Sequence, residues 1–273
     1  MPELPEVETI RRTLAGHITG LEIKKVILYW APAVRGRGDS SFADIVSGSR
    51  IQSLDRRGKY LLINLDNGHT LIAHMRMTGR LLYYPEDLEP ARHTHVVLKL
   101  SQGELHFNDT RKFGRIQAVL TAECFSTSSL SILGPEPLSE EMTPARLGER
   151  LARKKKNLKA ALLDQTVVAG LGNIYVDEAL FRARISPERS ASALTEEELR
   201  ALHQAMIEVL KAGIEANGTS FRDYRDANGE QGLFQKRLQA YGRGGEPCLN
   251  CGEPLKKKKV AGRTTVSCEK CQR

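Results

Sequence analysis

The chain has 273 residues, of which 40% are hydrophobic, and carries a formal net charge of +8 from 41 basic and 33 acidic side chains. This length suffices for two cored units and one small additional module. No apolar run approaches the roughly 18 residues that a membrane helix needs, and the N-terminus is acidic where a signal peptide would be basic. We therefore expect a soluble, cytosolic protein with no membrane partner, and the positive charge favours a polyanion as its partner.

The first half of the chain is predicted to be mainly β-structure. One helix is expected over residues 3–18, where apolar residues recur at helical spacing from Leu4 to Ile18. Short β-rich runs follow, separated by turns, and their connections are too short for helical crossovers, so an antiparallel sandwich is the simplest arrangement. The predicted strands cover residues 21–30, 60–65, 70–77, 94–100 and 115–120.

The second half is predicted to be mainly helical. One or two helices are expected over residues 144–164 and another over residues 174–184. Thr195 and Glu198 form a capping box for a long helix that ends near residue 217. Residues 219–237 then make a polar, glycine-punctuated stretch, which is too long for an ordinary connector and is typical of a disordered segment or a functional lid. The predicted domains are residues 1–133, 134–237 and 238–273, in an α+β multidomain protein.

Four of the five cysteines lie in the last 26 residues, as two Cys-x2-Cys pairs separated by sixteen residues. Two close pairs on a hairpin-length spacer are what a tetrahedral zinc site requires, and four protein ligands leave no open position for catalysis. A redox dithiol or a small disulfide staple is the alternative, although the expected cytosolic compartment does not favour disulfides. We predict one structural Zn²⁺ held by Cys248, Cys251, Cys268 and Cys271.

The positive charge is concentrated in two segments. Residues 248–273 hold seven Lys or Arg against two Glu, and residues 150–159 hold six basic side chains. One such run alone is usually a solvated face. Two runs, one of them on the predicted zinc hairpin, favour a nucleic acid as the partner.

Pro2 follows the initiator methionine, which is normally removed before so small a residue, so we expect a mature chain that begins with a proline amine beside Glu3. An α-amino group has a pKa of roughly 8, against roughly 10.4 for lysine, so more of it is uncharged near neutral pH. A secondary amine can also form an iminium with an aldehydic carbon, which makes it a competent nucleophile. Without further context, a Met-Pro start usually has no such role, and the nearby carboxylates would simply begin a helix.

Six segments and the cysteine module together resemble the bacterial formamidopyrimidine-DNA glycosylases, which remove oxidised purines. The matches occur in the same order along nearly the whole chain, and Leu4, where the endonuclease VIII branch typically has glycine, favours the purine-specific branch. The resemblance implies an N-terminal antiparallel β-sandwich with flanking helices, a helical domain with a helix–two-turn–helix element, and a C-terminal zinc β-hairpin. The segments are MPELPEVET at residues 1–9, RRGKY at 56–60, HMRMTG at 74–79, RKFG at 111–114, GPEP at 134–137 and GLGNIY at 170–175.

The resemblance also implies the catalytic residues. In that family the proline amine attacks C1′ of the damaged nucleotide and forms a Schiff base, so Pro2 would be the nucleophile and Glu3 the acid that protonates the sugar or leaving group. Lys59 matches the lysine that assists β-elimination and contacts phosphate, and it would otherwise be a basic turn residue. Arg263 matches the zinc-hairpin arginine linked to δ-elimination. The family often has glycine after this arginine, whereas Thr264 follows here, which leaves the local backbone shape open.

A base that reacts in this way must leave the duplex, and the hole it leaves must be filled. The resemblance assigns this role to Met77, Arg111 and Phe113, with Arg111 also contacting the orphaned cytosine. Taken without the resemblance, Met77 and Phe113 would be interpreted as core residues.

The remaining implied DNA contacts lie on both halves of the chain. His93 and Lys155 match family contact positions, and His74 is a further phosphate candidate. Asn173 opens a helix after a glycine turn, where it would otherwise be a plain helix cap. The segment 217–237 would be the lesion-recognition loop, closing over the flipped base.

We therefore expect a monomeric bifunctional DNA glycosylase and AP lyase, which holds bent, damaged duplex DNA between its domains in the bacterial cytosol and nucleoid. Its expected lesions are 8-oxoguanine and formamidopyrimidines, with β,δ-elimination after excision. One alternative is an endonuclease VIII-like enzyme for oxidised pyrimidines. A second alternative is a non-catalytic zinc-ribbon DNA-binding protein.

Overall fold

The computed structural model describes residues 1–36, 41–127, 129–221 and 223–273. The chain forms two compact units, which are residues 1–131 with 216–233 and residues 132–215 with 234–273. We call these the N-terminal unit and the C-terminal unit. They divide the chain differently from the three predicted segments because residues 216–233 pack with the N-terminal residues. The predicted domain limits remain a prediction.

The described residues of the N-terminal unit contain two α-helices and nine strands. The elements are α1 (Leu4–Ile18), β1 (Ile23–Leu28), β2 (Val34–Arg35), α2 (Phe42–Val46), β3 (Ile51–Arg57), β4 (Tyr60–Leu65), β5 (His69–His74), β6 (Arg80–Tyr84), β7 (Thr94–Leu100), β8 (Glu104–Asn108) and β9 (Arg115–Leu120). The strands form a four-stranded sheet in the order β1-β7-β8-β6 and a five-stranded sheet in the order β2-β9-β5-β4-β3. All pairs are antiparallel except the two-residue pairing of β2 with β9. The predicted antiparallel β-structure is confirmed.

Helix α1 has one apolar face, and that face belongs to the core of this unit. Val7, Ile10, Leu14 and Ile18 are all fully buried, as spacing along one side of a helix requires. They lie in the same hydrophobic cluster as Leu61 and other strand residues of the unit. The apolar periodicity that predicted this helix therefore also fixes which side of it faces the sheets.

Three strands, 60–65, 94–100 and 115–120, have the predicted bounds. The strand predicted over residues 70–77 instead ends at His74, because the chain turns there. In this turn the N–H of Gly79 donates to the carbonyl of Met75, and Arg76 has a φ of 54°. Met77 therefore lies in a turn and not in a strand. Strands β2, β3, β6 and β8 are absent from the sequence-based prediction.

The described residues of the C-terminal unit contain four α-helices and one β-hairpin. They are α3 (Pro144–Ala152), α4 (Leu158–Leu163), α5 (Asn173–Arg182), α6 (Glu196–Glu215), β10 (Lys256–Val260) and β11 (Arg263–Ser267). The capping box is confirmed at α6, where Glu198 N–H donates to the Thr195 hydroxyl at 3.2 Å and Thr195 N–H donates to the Glu198 carboxylate at 2.9 Å. Among the described residues, no helix is long and apolar enough to cross a bilayer.

Candidate functional site

Pro2 and Glu3 are buried, and the carboxylate of Glu6 holds the backbone of Glu3 in place. Pro2 is buried, and Glu3 is only 3% exposed at the beginning of α1. The N–H of Glu3 donates to Oε2 of Glu6 at 2.8 Å, while Oε1 of Glu6 accepts the N–H of Thr219 at 2.7 Å. Glu6 thus joins the first residues of the chain to the beginning of the predicted lesion-recognition loop.

The backbone next to Thr219 is shaped for this contact. Gly218 has a φ of +82°, and a Cβ at this position would lie 2.9 Å from Oε1 of Glu6. The hydroxyl of Tyr224 donates to the backbone carbonyl of Glu6 at 3.3 Å. Gly218, Thr219 and Tyr224 are therefore held against α1 within the N-terminal unit, close to Pro2 and Glu3.

Lys59 lies in a tight hairpin between β3 and β4. Arg57 pairs with Tyr60, so Gly58 and Lys59 form a two-residue loop, and Gly58 has the positive φ of 57° that such loops favour at their first position. Lys59 is only 6% exposed. A lysine with so little solvent access is not the freely solvated turn residue that the sequence alone would indicate.

The arginine side of this hairpin is anchored to α1 through Glu8. Arg56 lies 3.4 Å from Glu8 and also donates to the carbonyl of Gly58 at 3.0 Å. Burial raises the pKa of Glu8, but hydrogen bonds from Arg11 and Arg12 and the charges of Arg11 and Arg56 outweigh it and lower this pKa to about 2. Glu8 is therefore ionised near neutral pH and holds the hairpin to the helix.

His74, at the end of β5, is a buried and uncharged ring. Its pKa is lowered to about 3, first by burial and then by the positive charges of Arg76 and Lys59. Its Nδ1 accepts the N–H of Arg76 at 2.9 Å, so the ring proton is on Nε2. The ring of Tyr60 packs edge-on against it at 4.5 Å. His74 can therefore offer a neutral N–H donor but no positive charge.

The side chains assigned to filling the hole in the duplex project from two turns of the N-terminal unit. Met77 is 38% exposed and Phe113 is 51% exposed, so neither is a core residue. Arg111 is exposed, and its guanidinium lies 4.8 Å above the ring of Phe113. Large apolar side chains held outside the core are what insertion between bases requires.

His93 and His95 have different surroundings. His93 is half-buried, with a φ of 71°, and its carbonyl accepts the N–H of Asp109 at 3.0 Å. His95 is buried, and its Nε2 hydrogen-bonds to the carbonyl of Asp109 at 2.7 Å. His93 is thus the more accessible of the two rings, and His95 has a structural contact.

In the C-terminal unit, Asn173 is the first residue of α5, and Gly172 is its N-cap. The amide of Asn173 donates to the carbonyl of Thr264 in the zinc hairpin at 2.9 Å. Its Oδ1 is buried and accepts no hydrogen bond from the described residues. Asn173 is therefore not the plain helix cap of the alternative interpretation, because its side chain joins the helix start to the hairpin.

Arg263 is exposed at the end of this hairpin. It pairs with Val260, and the two residues between them, Ala261 and Gly262, have φ values of 51° and 72°. Positive φ at both positions is the signature of a type I′ turn. The hairpin therefore closes in an ordinary way with Thr264 after the arginine.

Lys155 is the unpaired member of a basic trio. Lys154 and Lys156 lie 2.9 and 3.9 Å from Asp164, whereas Lys155 is exposed and forms no ion pair with the described residues. Its positive charge is consequently available to an external anion.

The four cysteines of the C-terminal module form one cluster. Their Sγ atoms all lie within 4.8 Å of one another, with 3.5 Å between Cys251 and Cys268 and 4.0 Å between Cys248 and Cys271. A disulfide needs about 2.05 Å between sulfurs, whereas four thiolates at about 2.3 Å from a tetrahedral zinc lie about 3.8 Å apart. The spacing fits one structural Zn²⁺ and rules out the disulfide staple.

Comparisons with known proteins agree with this geometry. Residues 1–116 match the formamidopyrimidine-DNA glycosylase N-terminal domain, residues 133–225 match the H2TH domain of that enzyme, and residues 245–273 match the zinc finger found in FPG and IleRS. The formamidopyrimidine-DNA glycosylase of Desulfitobacterium hafniense is 60% identical over 272 residues, with 100% of both chains covered. The chain belongs to the formamidopyrimidine-DNA glycosylase family.

Further members of the family match over the full length. The enzyme of Pelotomaculum thermopropionicum is 49% identical, covering 100% of this chain and 99% of its own. The crystal structure of MutM (FPG) from Thermus thermophilus has a TM-score of 0.90 at 45% identity, covering 99% of this chain and 98% of its own. A Lactococcus lactis FPG mutant in complex with a Fapy-dG containing DNA has a TM-score of 0.92 at 38% identity, covering 100% of both chains. The resemblance drawn from the sequence motifs, the fold class and the zinc module are confirmed.

Several buried carboxylates that bind the main chain of this family member were not predicted from the sequence. Glu6 reaches across to Thr219, and the buried Asp109 binds the turn that carries Arg111 and Phe113. In the C-terminal unit Glu178 accepts three backbone N–H groups, from residues 239, 240 and 241. Each of these carboxylates bonds to main-chain groups, so only the tertiary structure reveals the contact.

Proposed function

We propose that this protein removes oxidised purines, namely 8-oxoguanine and formamidopyrimidines, from duplex DNA as a glycosylase and then cleaves the abasic strand by β,δ-elimination as an AP lyase. The observation that carries this function is the full-length match to formamidopyrimidine-DNA glycosylases, with Pro2 and Glu3 set at the start of a buried helix. The endonuclease VIII-like and non-catalytic alternatives gain no support from these relatives.

The chemistry begins at Pro2. Once Met1 is removed, the proline nitrogen attacks C1′ of the damaged nucleotide, a C–N bond forms, and the bond from C1′ to the base breaks as the base leaves with a proton. Expulsion of the ring oxygen then gives the iminium, and Glu3 supplies the proton that this oxygen takes up. The support for this role is the position of Glu3, which is next to the amine and held there by its N–H bond to Glu6.

Lys59 and Arg263 assist the elimination steps. Loss of a C2′ proton from the iminium expels the 3′ phosphate, and a further elimination expels the 5′ phosphate, after which water releases the amine. Both leaving groups are phosphate anions, so a nearby cation stabilises the charge that develops on them. Lys59 would serve the first step and Arg263, exposed at the turn of the zinc hairpin, the second.

DNA is held by groups of three kinds. Lys155 supplies a positive charge that is not neutralised by a carboxylate of the described residues, and Asn173, His74 and His93 supply polar contacts to the backbone. Met77, Arg111 and Phe113 fill the hole in the duplex, with Arg111 bonded to the orphaned cytosine. The segment 217–237 closes over the extruded base.

The thiolates of Cys248, Cys251, Cys268 and Cys271 would hold one Zn²⁺, which would cross-link the two cysteine pairs and, with four protein ligands, would leave no position open for catalysis. The exposed basic side chains of the hairpin can then act as one rigid surface. We further propose that the protein works as a monomer in the bacterial cytoplasm at the nucleoid, where its DNA substrate lies and where thiols stay reduced.

Reduction by borohydride tests the proposal. The processed protein is incubated with duplexes containing 8-oxoguanine or an abasic site, reduced, and digested to locate the adduct. A covalent adduct that maps to Pro2 is expected, and strand cleavage is expected without borohydride. A chain blocked at its N-terminus by acylation is the control and should form no adduct.

The two alternatives predict other outcomes in the same assay. Preferential cleavage of a thymine glycol duplex over an 8-oxoguanine duplex would support the endonuclease VIII-like activity. Salt-sensitive binding with neither adduct nor strand cleavage would support the binding protein and overturn the proposed enzyme.

A further inference from the structure

Asp109 is a fully buried carboxylate that shapes the turn carrying Arg111 and Phe113. It follows β8 and is 0% exposed. Its Oδ1 accepts the N–H of Arg111 at 3.1 Å, and its Oδ2 accepts the N–H of Gly114 at 2.7 Å. One side chain therefore binds the backbone on both sides of Phe113 and closes residues 109–114 into a rigid turn.

The same carboxylate reaches the turn that carries Met77. The hydroxyl of Thr78 donates to Oδ1 of Asp109, and the Thr78 oxygen also accepts the N–H of Arg111 at 3.2 Å. Thr78 follows Met77 directly in the chain. Met77 and Arg111 are thus linked by a hydrogen-bonded bridge between turns that are more than thirty residues apart in sequence.

The main chain of Asp109 adds a third segment. Its N–H donates to the carbonyl of His93 at 3.0 Å, and its carbonyl accepts from Nε2 of His95 at 2.7 Å and from the N–H of Lys112 at 3.2 Å. His93 and Lys112 have φ values of 71° and 58°, a backbone region that side chains other than glycine adopt rarely. These hydrogen bonds hold the backbone in that region.

The space around the turn leaves little room for adjustment. A Cβ on Gly114 would lie 2.6 Å from the ring of Phe107 and 3.2 Å from Oδ2 of Asp109. The turn therefore packs against the core residue Phe107, and the Asp109 carboxylate hydrogen-bonds to its backbone. Arg111 and Phe113 are exposed on this turn, and Met77 is exposed on the neighbouring turn.

We propose that Asp109 is the positioning residue that sets the two turns as one rigid unit, with Thr78 as the link between them, so that Met77, Arg111 and Phe113 enter the duplex together. This inference rests on the proposed function, because it concerns the extrusion of the damaged base and not the chemistry at Pro2. A buried carboxylate accepting several hydrogen bonds loses them when one oxygen becomes an NH₂ donor. Asp109→Asn keeps the shape of the side chain but replaces one acceptor oxygen with an NH₂ donor. That donor then faces either the N–H of Gly114 or the donors of Arg111 and Thr78.

Two single-turnover rates at saturating enzyme separate extrusion from chemistry. The first is base excision from an 8-oxoguanine duplex, which requires extrusion. The second is borohydride trapping on an abasic duplex, in which no base has to be extruded. For Asp109→Asn we expect excision to fall about 10- to 100-fold, as misplacement by about 1 Å does elsewhere, with trapping reduced less than about threefold.

Thr78 gives a second pair of variants that does not touch the buried carboxylate. Thr78→Val removes the link between the turns and should lower excision about fivefold, the effect of about one hydrogen bond. Thr78→Ser keeps the hydroxyl and should restore the wild-type excision rate. The inference is overturned if Asp109→Asn and Thr78→Val both excise at the wild-type rate, or if excision and trapping fall by the same factor. A wild-type protein that neither excises nor traps would instead overturn the proposed function.

Discussion

The ammonium nitrogen of Lys159 lies 2.6 Å from Oδ1 of Asp177, and the two side chains are at most 1% exposed. Lys159 also donates to the Thr265 hydroxyl at 2.7 Å, and Oδ2 of Asp177 accepts the N–H of Val266 at 3.3 Å. Burial raises the pKa of Asp177 to about 6, against the opposing effect of Lys159, so the carboxylate is still ionised at neutral pH. This pair joins α4 and α5 to strand β11 and thereby fixes the strand on which Arg263 lies.

Replacing Lys159 with Met should destabilise the C-terminal unit strongly. Methionine fills similar space but leaves the Asp177 carboxylate buried without its cation, which costs about 3–5 kcal/mol. Zinc release during urea unfolding, followed with a chromophoric chelator, reports on this unit. The fluorescence of Trp30, the single tryptophan of the chain, reports on the N-terminal unit and should be unaffected.

Lys154→Met is the matched control for that variant. Its pair with Asp164 spans 2.9 Å, but the two side chains are 26% and 21% exposed, and such pairs contribute about 0–1 kcal/mol. Equal losses of unfolding free energy in the two variants would contradict the importance of the buried pair.

Glu8 should make stability depend on pH in the acid range. Its pKa is about 2 in the folded protein and 4.5 as the ordinary value, so folding is favoured by up to about 3 kcal/mol at neutral pH. Because the folded-state pKa is the lower one, this contribution is fully present above about pH 4.5 and is lost as the pH falls towards 2. The difference in unfolding free energy between wild type and Glu8→Gln should shrink over that window.

Glu149→Gln provides the control for the pH measurement. Glu149 pairs with Arg146 at 3.1 Å, but their side chains are 58% and 53% exposed, so loss of this pair should change the unfolding free energy by no more than about 1 kcal/mol. A difference between wild type and Glu8→Gln that stayed constant from pH 7 to 2 would show that the arginines do not stabilise the ionised Glu8.

Periodicity predicted α1, which has one apolar face, and a run of β-favouring residues predicted β7, which is buried on both faces. The sequence-based prediction missed β8, a strand of five residues in which the buried Leu105 and Phe107 alternate with Glu104 and His106. These two polar side chains are also buried and bond to each other at 2.6 Å, a tertiary arrangement that the sequence does not indicate. The prediction also extended β5 beyond His74, because the sequence gives no sign that Arg76 adopts a positive φ. Local pattern therefore fails where tertiary contacts decide the backbone.

The candidate site divides in the same way. The cysteine spacing predicted the metal cluster because both pairs are local in sequence, and the motifs indicated the reactive residues by type. The contact of Glu6 with Thr219 joins residues 213 positions apart, and neither local sequence predicts it. Residues that position the reactive groups are therefore the part that required a structure.

The salt dependence of DNA binding should distinguish Lys155 from His74. Lys155→Ala should lower the slope of log K against log salt by about one, because one cation–phosphate contact is lost. His74→Gln should leave the slope unchanged, because the His74 ring is neutral. Burial is the main cause that lowers its pKa to about 3. Fluorescence anisotropy with an abasic duplex at several salt concentrations measures both.

Lys258→Ala is the control for the salt measurement. Its ammonium lies 2.7 Å from Glu269 and 3.2 Å from Glu188, so its charge is already compensated and the slope should fall by less than for Lys155. A slope that is unchanged in Lys155→Ala would remove that residue from the interface.

Replacing Cys268 with Ser should abolish DNA binding without unfolding the N-terminal unit. The fully buried Cys268 follows β11 directly, and loss of one ligand should release both the metal and the hairpin, including the Thr264 carbonyl that Asn173 contacts. We expect less than one zinc per chain, no anisotropy change with an abasic duplex, and unchanged Trp30 fluorescence. Cys124→Ser, which alters the one cysteine outside the cluster, should retain both zinc and DNA binding. Undiminished affinity in zinc-free Cys268→Ser would show that DNA binding does not need the metal-bound hairpin.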